Sequence, residues 1–230
     1  VTRELLDTHD AVIAMAQNHI TFLEQEFGFK EALLFKVFAE GVNESIWDIE
    51  DDVPDHLTNR PAVEDKIERT VRYIHDKTPA VFSAVTERYY LFSDFVSGAR
   101  THRNGFPFIT LYETPNTVAF MSVDIPQKAD GHILVIPKVR YANFSQVPTP
   151  VAHELIVALS TIGRGVAKHH DGYNILLNNG VDAGQYIFHT HFHIVPRTHG
   201  DGIRVEGWQN ASITPEQFIA LNESLKSQLV

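Results

Sequence analysis

The chain contains no cysteine. That excludes disulfides, thiolate nucleophiles and cysteine-ligated zinc, and it fits a cytoplasmic protein. No apolar run approaches the roughly 20 residues of a membrane span, so no membrane partner is expected. Basic residues are in short supply: 19 Lys and Arg stand against 29 Asp and Glu, a net charge of −10. Broad nucleic-acid binding needs a basic footprint, so no nucleic-acid partner is expected either. A small anionic ligand is not excluded. Local groups such as Lys138, Arg140, Arg197 and backbone amides can set the potential of a single cleft. Internal repeats and low-complexity tracts are lacking, and no basic-then-apolar leader pattern opens the sequence. What is present is 230 residues with 43% hydrophobic content, enough for one large or two small globular domains.

Within that ordinary composition one segment stands out: His189-Thr-His-Phe-His-Ile-Val-Pro-Arg197. Side chains of a β-strand alternate between faces, so a strand here sends His189, His191 and His193 one way. Phe188, Thr190, Phe192 and Ile194 then point the other way, into a core. Three explanations compete. A solvated histidine-rich strand is the plain one. A metal site is the second, but the outer histidines would lie about 13 Å apart along a strand, a strained span for one ion. There is also no His-Glu-x-x-His pattern to complete a zinc site. The third is nucleophilic catalysis. A neutral imidazole attacks phosphorus through one nitrogen while an acceptor on the other fixes its tautomer.

The residues just before support phosphorus chemistry. An apolar strand, Tyr173-Asn-Ile-Leu-Leu177, runs into Asn178-Asn-Gly-Val-Asp-Ala-Gly184-Gln185. Two glycines permit positive φ and close backbone approach, and their amides suit an anion-binding nest. An ordinary hairpin turn has the same composition.

Together these segments resemble the histidine triad (HIT) family of nucleotidyl hydrolases and transferases. The pattern His-x-His-x-His followed by two apolar residues reads here His189-Thr-His191-Phe-His193-Ile-Val. An upstream stretch, Asp124-Ile-Pro-Gln-Lys-Ala-Asp-Gly131-His132-Ile-Leu-Val-Ile-Pro137-Lys138, is similar to the family's other signature. The resemblance covers roughly residues 90–205. It implies that His191 is the nucleophile toward the α-phosphorus of a nucleotide, forming a covalent nucleotidyl-histidine. It places His189 and His193 beside it, Asn178, Gly184 and Gln185 at the phosphates, Asp124 at the ribose and His132 behind the nucleophile. It also implies a homodimer and a reaction with no required cofactor, magnesium entering only through substrate phosphates. Substrates resembling dinucleoside polyphosphates, nucleoside phosphoramidates or adenylylated small molecules follow. A nucleotide-binding regulator without turnover and a metal-dependent hydrolase are the alternatives. Two departures bear on substrate class. Tyr186 stands where a small hydroxyl residue is common, and Arg140 near where another His is common.

The rest of the chain divides in character. Residues 1–88 read as a helical extension with no chemical motif of its own. Val12, Ala16, Ile20, Leu23 and Phe27 predict a helix over Arg3–Phe27 that Gly28 stops. A second helix is expected over Lys30–Glu40, then a loop over Asn43–Arg60 containing Trp47 and Pro54. From Pro61 the stripe Val63, Ile67, Val71, Ile74 predicts a third helix with that stripe in the core, and a short fourth falls within Pro79–Tyr90. Residues 89–230 form the predicted catalytic domain, opening with a strand or turn at Leu91–Gly98. Strands are expected at Phe106–Tyr112, Thr117–Val123, His132–Pro137, Tyr173–Asn178 and Ile187–Pro196, with a helix over Thr149–His170. Thr214-Pro-Glu-Gln217 reads as a capping box opening a last helix that bears Phe218, Leu221, Leu225 and Leu229. The predicted fold class is α+β: an antiparallel sheet with a long packed helix, plus an N-terminal helical extension.

Overall fold

The computed structural model describes residues 2–7, 9, 11–46, 53, 55–205 and 214–228. Trp47, Pro54 and Leu229 lie outside them.

Five antiparallel strands build the central sheet: β5 (Thr110–Glu113), β6 (Thr117–Met121), β7 (Ile133–Pro137), β8 (Gly172–Leu177) and β9 (Phe192–Arg197), in the order β5-β6-β7-β9-β8. Before them come two short parallel segments, β1 (Ile13–Ala14) and β2 (Leu33–Leu34), and a small hairpin, β3 (His102–Arg103) with β4 (Phe106–Pro107). The helices are α1 (Arg3–Asp7), α2 (Gln17–Phe27), α3 (Phe35–Glu40), α4 (Arg60–Val85), α5 (Leu91–Ser97), α6 (Thr149–Val166) and α7 (Pro215–Ser227). The α+β class with a long helix against an antiparallel sheet is what the pattern predicted.

The two faces of the sheet bury different partners. Ala119, Val135, Phe192 and Ile194 meet Leu155, Ala158 and Leu159 of α6. Residues one step along the same strands, Val118, Phe120, Leu134 and Ile136, meet Leu91 and Phe92 of α5. Most of these side chains are fully buried, and each contributes roughly 1.5–3 kcal/mol if large and apolar. Cross-strand register puts His193 between Leu134 of β7 and Leu176 of β8, hence on the α5 side.

The N-terminal half departs from its sequence periodicity. No single helix spans Arg3–Phe27: α1 ends at Asp7, and Ile13–Ala14 pairs with Leu33–Leu34, which also shortens the expected Lys30–Glu40 helix to Phe35–Glu40. Burial of Leu34 and Phe35 in the interior outweighs local helix propensity here. Gly28 does end α2, in the left-handed conformation. Helix α4 starts under an Asn59 cap and runs through Pro79 without a break. It then passes through a π-helical turn, Thr86–Tyr90, directly into α5. So the expected separate fourth helix is the end of the third, and Leu91–Ser97 is helical rather than a strand or turn. Residue 88 falls inside this helical run from Arg60 to Ser97.

The predicted stripe on α4 is covered only in part: Ile74 packs against the Phe35, Phe38 and Tyr89 cluster and Val63 is half-buried. Ile67 and Val71 are exposed, while Lys66 and Val81 are buried and Tyr73 packs on Phe35. The Thr214–Gln217 capping box forms in both directions. Thr149 is the first residue of α6 and caps nothing, the preceding Pro148 standing at the cap.

Candidate active site

Strand β9 begins at Phe192, so the triad does not lie on one continuous strand. The backbone before it is held by partners elsewhere. Phe188 N–H donates to Arg88 O at 2.6 Å, and Thr190 N–H donates to Tyr141 O at 2.7 Å. As a result Phe188 packs with Phe38 and Tyr89 from the N-terminal half, away from Phe192 and Ile194. Histidines 189, 191 and 193 therefore serve three separate positions.

His189 is fully buried and does not reach the cavity. Its Nε2–H donates to Pro137 O at 2.8 Å, and its Nδ1 is buried without a partner. His191 Nδ1–H donates to the His189 carbonyl at 2.7 Å. That fixes its tautomer and leaves Nε2 as the lone-pair nitrogen of a ring that lines the cavity. Farther along, His132 Nδ1–H donates to Asp124 O at 2.6 Å, so His132 Nε2 accepts from His193 Nδ1–H at 2.9 Å. Phe92 of α5 meets His189 and His191 edge-on, with centroids 5.7 and 5.3 Å apart.

Burial decides the charge of this cluster. Desolvation pushes His189 down to about 4 against its main-chain hydrogen bond. Desolvation, then the neighbouring His191 and His132, pushes His193 down to about 3. His191 is lowered too, chiefly by burial. All three are neutral imidazoles near pH 7, the form that offers a lone pair to phosphorus.

The cavity has a volume of about 150 Å³ and brings together Asp124, His132, Asn178, Gly184, His191 and His193. Two sequence candidates stand apart from it, His189 and Gln185. The Gln185 amide is consumed by the main chain: Nε2 donates to Ala142 O and Ile187 O, and Oε1 accepts from Gly180 N. It braces the 178–185 loop. Gly180 and Gly184 do adopt positive φ, 84° and 82°. However, the Gly184 and Gln185 amides donate to Val181 O and Gly180 O, so these two are spent inside the loop and not offered to an anion.

The cations expected near the cleft are elsewhere. Lys138 pairs with Glu113, Arg197 with Asp201, and Arg140 donates to the Phe188 carbonyl. Strong pairing with Arg197 holds the Asp201 carboxyl far below its usual range. The cavity's own cation is Arg103, from the small hairpin. It bridges Asp124 at 2.7 Å and Glu87 at 2.7 Å. No spacing rule connects Arg103 to the triad, and neither Phe92 nor Arg103 carries a motif. Among the described residues no group of three His, Asp or Glu side chains is placed to hold a metal ion.

A HIT domain family model matches residues 106–200. The chain is 32% identical over 128 residues to the adenosine 5′-monophosphoramidase of Schizosaccharomyces pombe, covering 55% of this chain and 92% of that protein. It is 36% identical over 101 residues to an adenylylsulfatase of Arabidopsis thaliana, covering 43% of this chain and 50% of that one. The crystal structure of a HIT family member from Bacillus subtilis superposes with a TM-score of 0.54 at 28% identity, over 61% of this chain and 96% of that chain. Sequence, fold and the paired signatures agree: this chain belongs to the HIT family.

Proposed function

We propose that this protein is a nucleotide hydrolase or nucleotidyl transferase that acts at an α-phosphate through a covalent nucleotidyl-histidine on His191. One observation carries the proposal. The His191 Nδ1–H is committed to the His189 carbonyl, and the other nitrogen of this neutral ring holds the lone pair. In the first half-reaction that lone pair forms an N–P bond. The bond from phosphorus to the leaving group breaks, and the leaving group takes the electron pair and a proton from solvent. Water then attacks phosphorus and gives up a proton to solvent, the N–P bond breaks, and the lone pair returns to His191. Asp124 is assigned to the ribose hydroxyls and Asn178 to the phosphate, His193 stands beside the nucleophile, and His132 orients His193.

Relatives named adenosine 5′-monophosphoramidase and adenylylsulfatase support a nucleotide substrate. No cofactor is assigned, magnesium entering only through substrate phosphates. A cytoplasmic location draws support from the lack of cysteine, and among the described residues no helix is long and apolar enough to cross a membrane. A homodimer is also assigned, supported by Ile156 and Val157 of α6, 52% and 45% exposed on its outer side.

Rapid quenching followed by peptide mass spectrometry tests the mechanism. Wild-type protein should carry a nucleotidyl adduct on the His191 peptide during turnover, and His191→Ala should carry none. Turnover that continues in the variant without an adduct would overturn it. One observation favours the second reading, a regulator without turnover: 150 Å³ is small beside the roughly 300–1,000 Å³ of most ligand pockets. Tight nucleotide binding with no product at any time would select it.

A further inference from the structure

The missing volume lies next door. A second cleft of about 490 Å³ opens between the N-terminal helices and the Gly180–Tyr186 loop. It shares Gly184 and Tyr186 with the 150 Å³ cavity, so the two spaces meet along one wall. The nucleophile's cavity holds too little room for a nucleotide and its leaving group together. The adjoining space is the one that the extension adds to the family-matched segment, residues 106–200.

Arg88 dominates the chemistry of that second space. It sits on the π-helical turn between α4 and α5, and its carbonyl is pinned by the Phe188 amide at 2.6 Å. Its guanidinium lies 4.4 Å over the Tyr186 ring and 5.4 Å from the Phe38 ring. Aromatic contacts hold the group in place but satisfy none of its N–H donors. Nε is buried with no hydrogen-bond partner, and Arg88 makes no ion pair among the described residues. The side chain is half-buried and lines the cleft with its Nε donor unfilled, a donor that an anion in the cleft would satisfy. Lys30 lines the same cleft, with the carboxylates of Glu24 and Asp182 nearby. The cleft is therefore not a general basic patch, and its preference rests on the geometry of Arg88. Guanidinium forks match phosphate oxygens well. Tyr186 separates this cation from the nucleophile's cavity, at the position where the family commonly has a small hydroxyl residue.

We propose that this cleft is the leaving-group subsite, that it takes a leaving group bearing phosphate, and that Arg88 is its specificity-determining residue. The proposal rests on nucleotidyl transfer at His191. Two substrates separate its parts: diadenosine triphosphate, which releases ADP, and adenosine 5′-phosphoramidate, which releases ammonia. Arg88→Met keeps the aliphatic packing against Phe38 and Tyr186 and removes the donors. It should lower kcat/KM for diadenosine triphosphate about 10- to 100-fold, the loss expected for one charged hydrogen-bonding group. Turnover of the phosphoramidate should stay within about twofold of wild type by the same reasoning, since its leaving group makes no such bond. Lys30→Ala, on an exposed side chain, should show the same selectivity more weakly. Calorimetric titration with inorganic pyrophosphate reads the cleft without any turnover. Wild type should bind it, and Arg88→Met should bind it at least about tenfold more weakly at an unchanged melting temperature. Equal effects on both substrates, or pyrophosphate binding untouched by Arg88→Met, would overturn the subsite. Pyrophosphate binding that depends on Arg88, without turnover of either nucleotide, would instead overturn catalysis at His191 and leave an anion site.

Discussion

Acid should destabilise this protein through His189, and the size of the effect follows from its surroundings. The ring is fully buried, its Nε2–H is committed to Pro137 O, and its Nδ1 has no partner. Protonation would place a charge on that unpartnered nitrogen, which is why the folded-state value falls from 6.5 to about 4. The unfolded chain thus binds the proton more readily than the folded one. Stability is fully present above about pH 6.5 and declines as pH falls, until the folded ring itself titrates near 4. Each unit of separation is worth about 1.4 kcal/mol, so His189 alone should cost about 2.5 kcal/mol between pH 8 and 4.5. His193, lowered to about 3, steepens the same window. The comparison is with His189→Gln, whose amide N–H can still reach the Pro137 carbonyl but does not titrate. Urea midpoints at several pH values should show the variant weaker at pH 8 and the gap closing by roughly 2 kcal/mol at pH 4.5. Parallel curves would mean that His189 is not held neutral by burial.

Other outcomes follow from the site. His191→Ala should lower turnover by about 10³-fold or more while leaving nucleotide binding largely intact, as steady-state rates and equilibrium titration will show. Activity should survive exhaustive chelation, and stoichiometric zinc on the triad in an active preparation would contradict that. Asp124→Ala should weaken ribonucleotides more than 2′-deoxy analogues, by roughly 1.5–3 kcal/mol, and equal losses would reduce Asp124 to a partner of Arg103. Scanning calorimetry of the whole chain should give one cooperative transition, with residues 89–230 poorly soluble alone. That fragment exposes Phe188 and loses Glu87 and Arg88.

The catalytic half was legible because its signals are local. Short β-rich apolar runs set β6, β7 and β8, the Thr214 capping box set the start of α7, and two signatures marked the imidazoles. Where the outcome turned on distant partners, periodicity failed. His189 to His193 alternates perfectly, yet the Arg88 and Tyr141 carbonyls hold the Phe188 and Thr190 amides and keep residues 187–191 out of the strand. Nothing within nine residues of the motif encodes those bonds. The same holds for the middle of the stripe on α4: Ile67 and Val71 have the right spacing but are exposed among the described residues, while Ile74 is covered. Gln185 looked like a phosphate donor from its place before the triad. Its side chain instead satisfies three main-chain groups, a demand that appears only once the loop is folded. Arg103 and Phe92 gave no signal at all, since each reaches the site by packing.

The placement of Phe92 redraws the smallest piece of chain able to carry the site. Its ring floors two imidazoles, yet it precedes residue 106, where the family match begins. A protein trimmed to the matched segment would keep His132 and all three histidines of the triad and still leave His189 and His191 facing water. Solvated, those rings would drift back toward ordinary basicity and lose the neutrality that their burial enforces. The histidine motif supplies the reagents, and a phenylalanine from outside it keeps them dry.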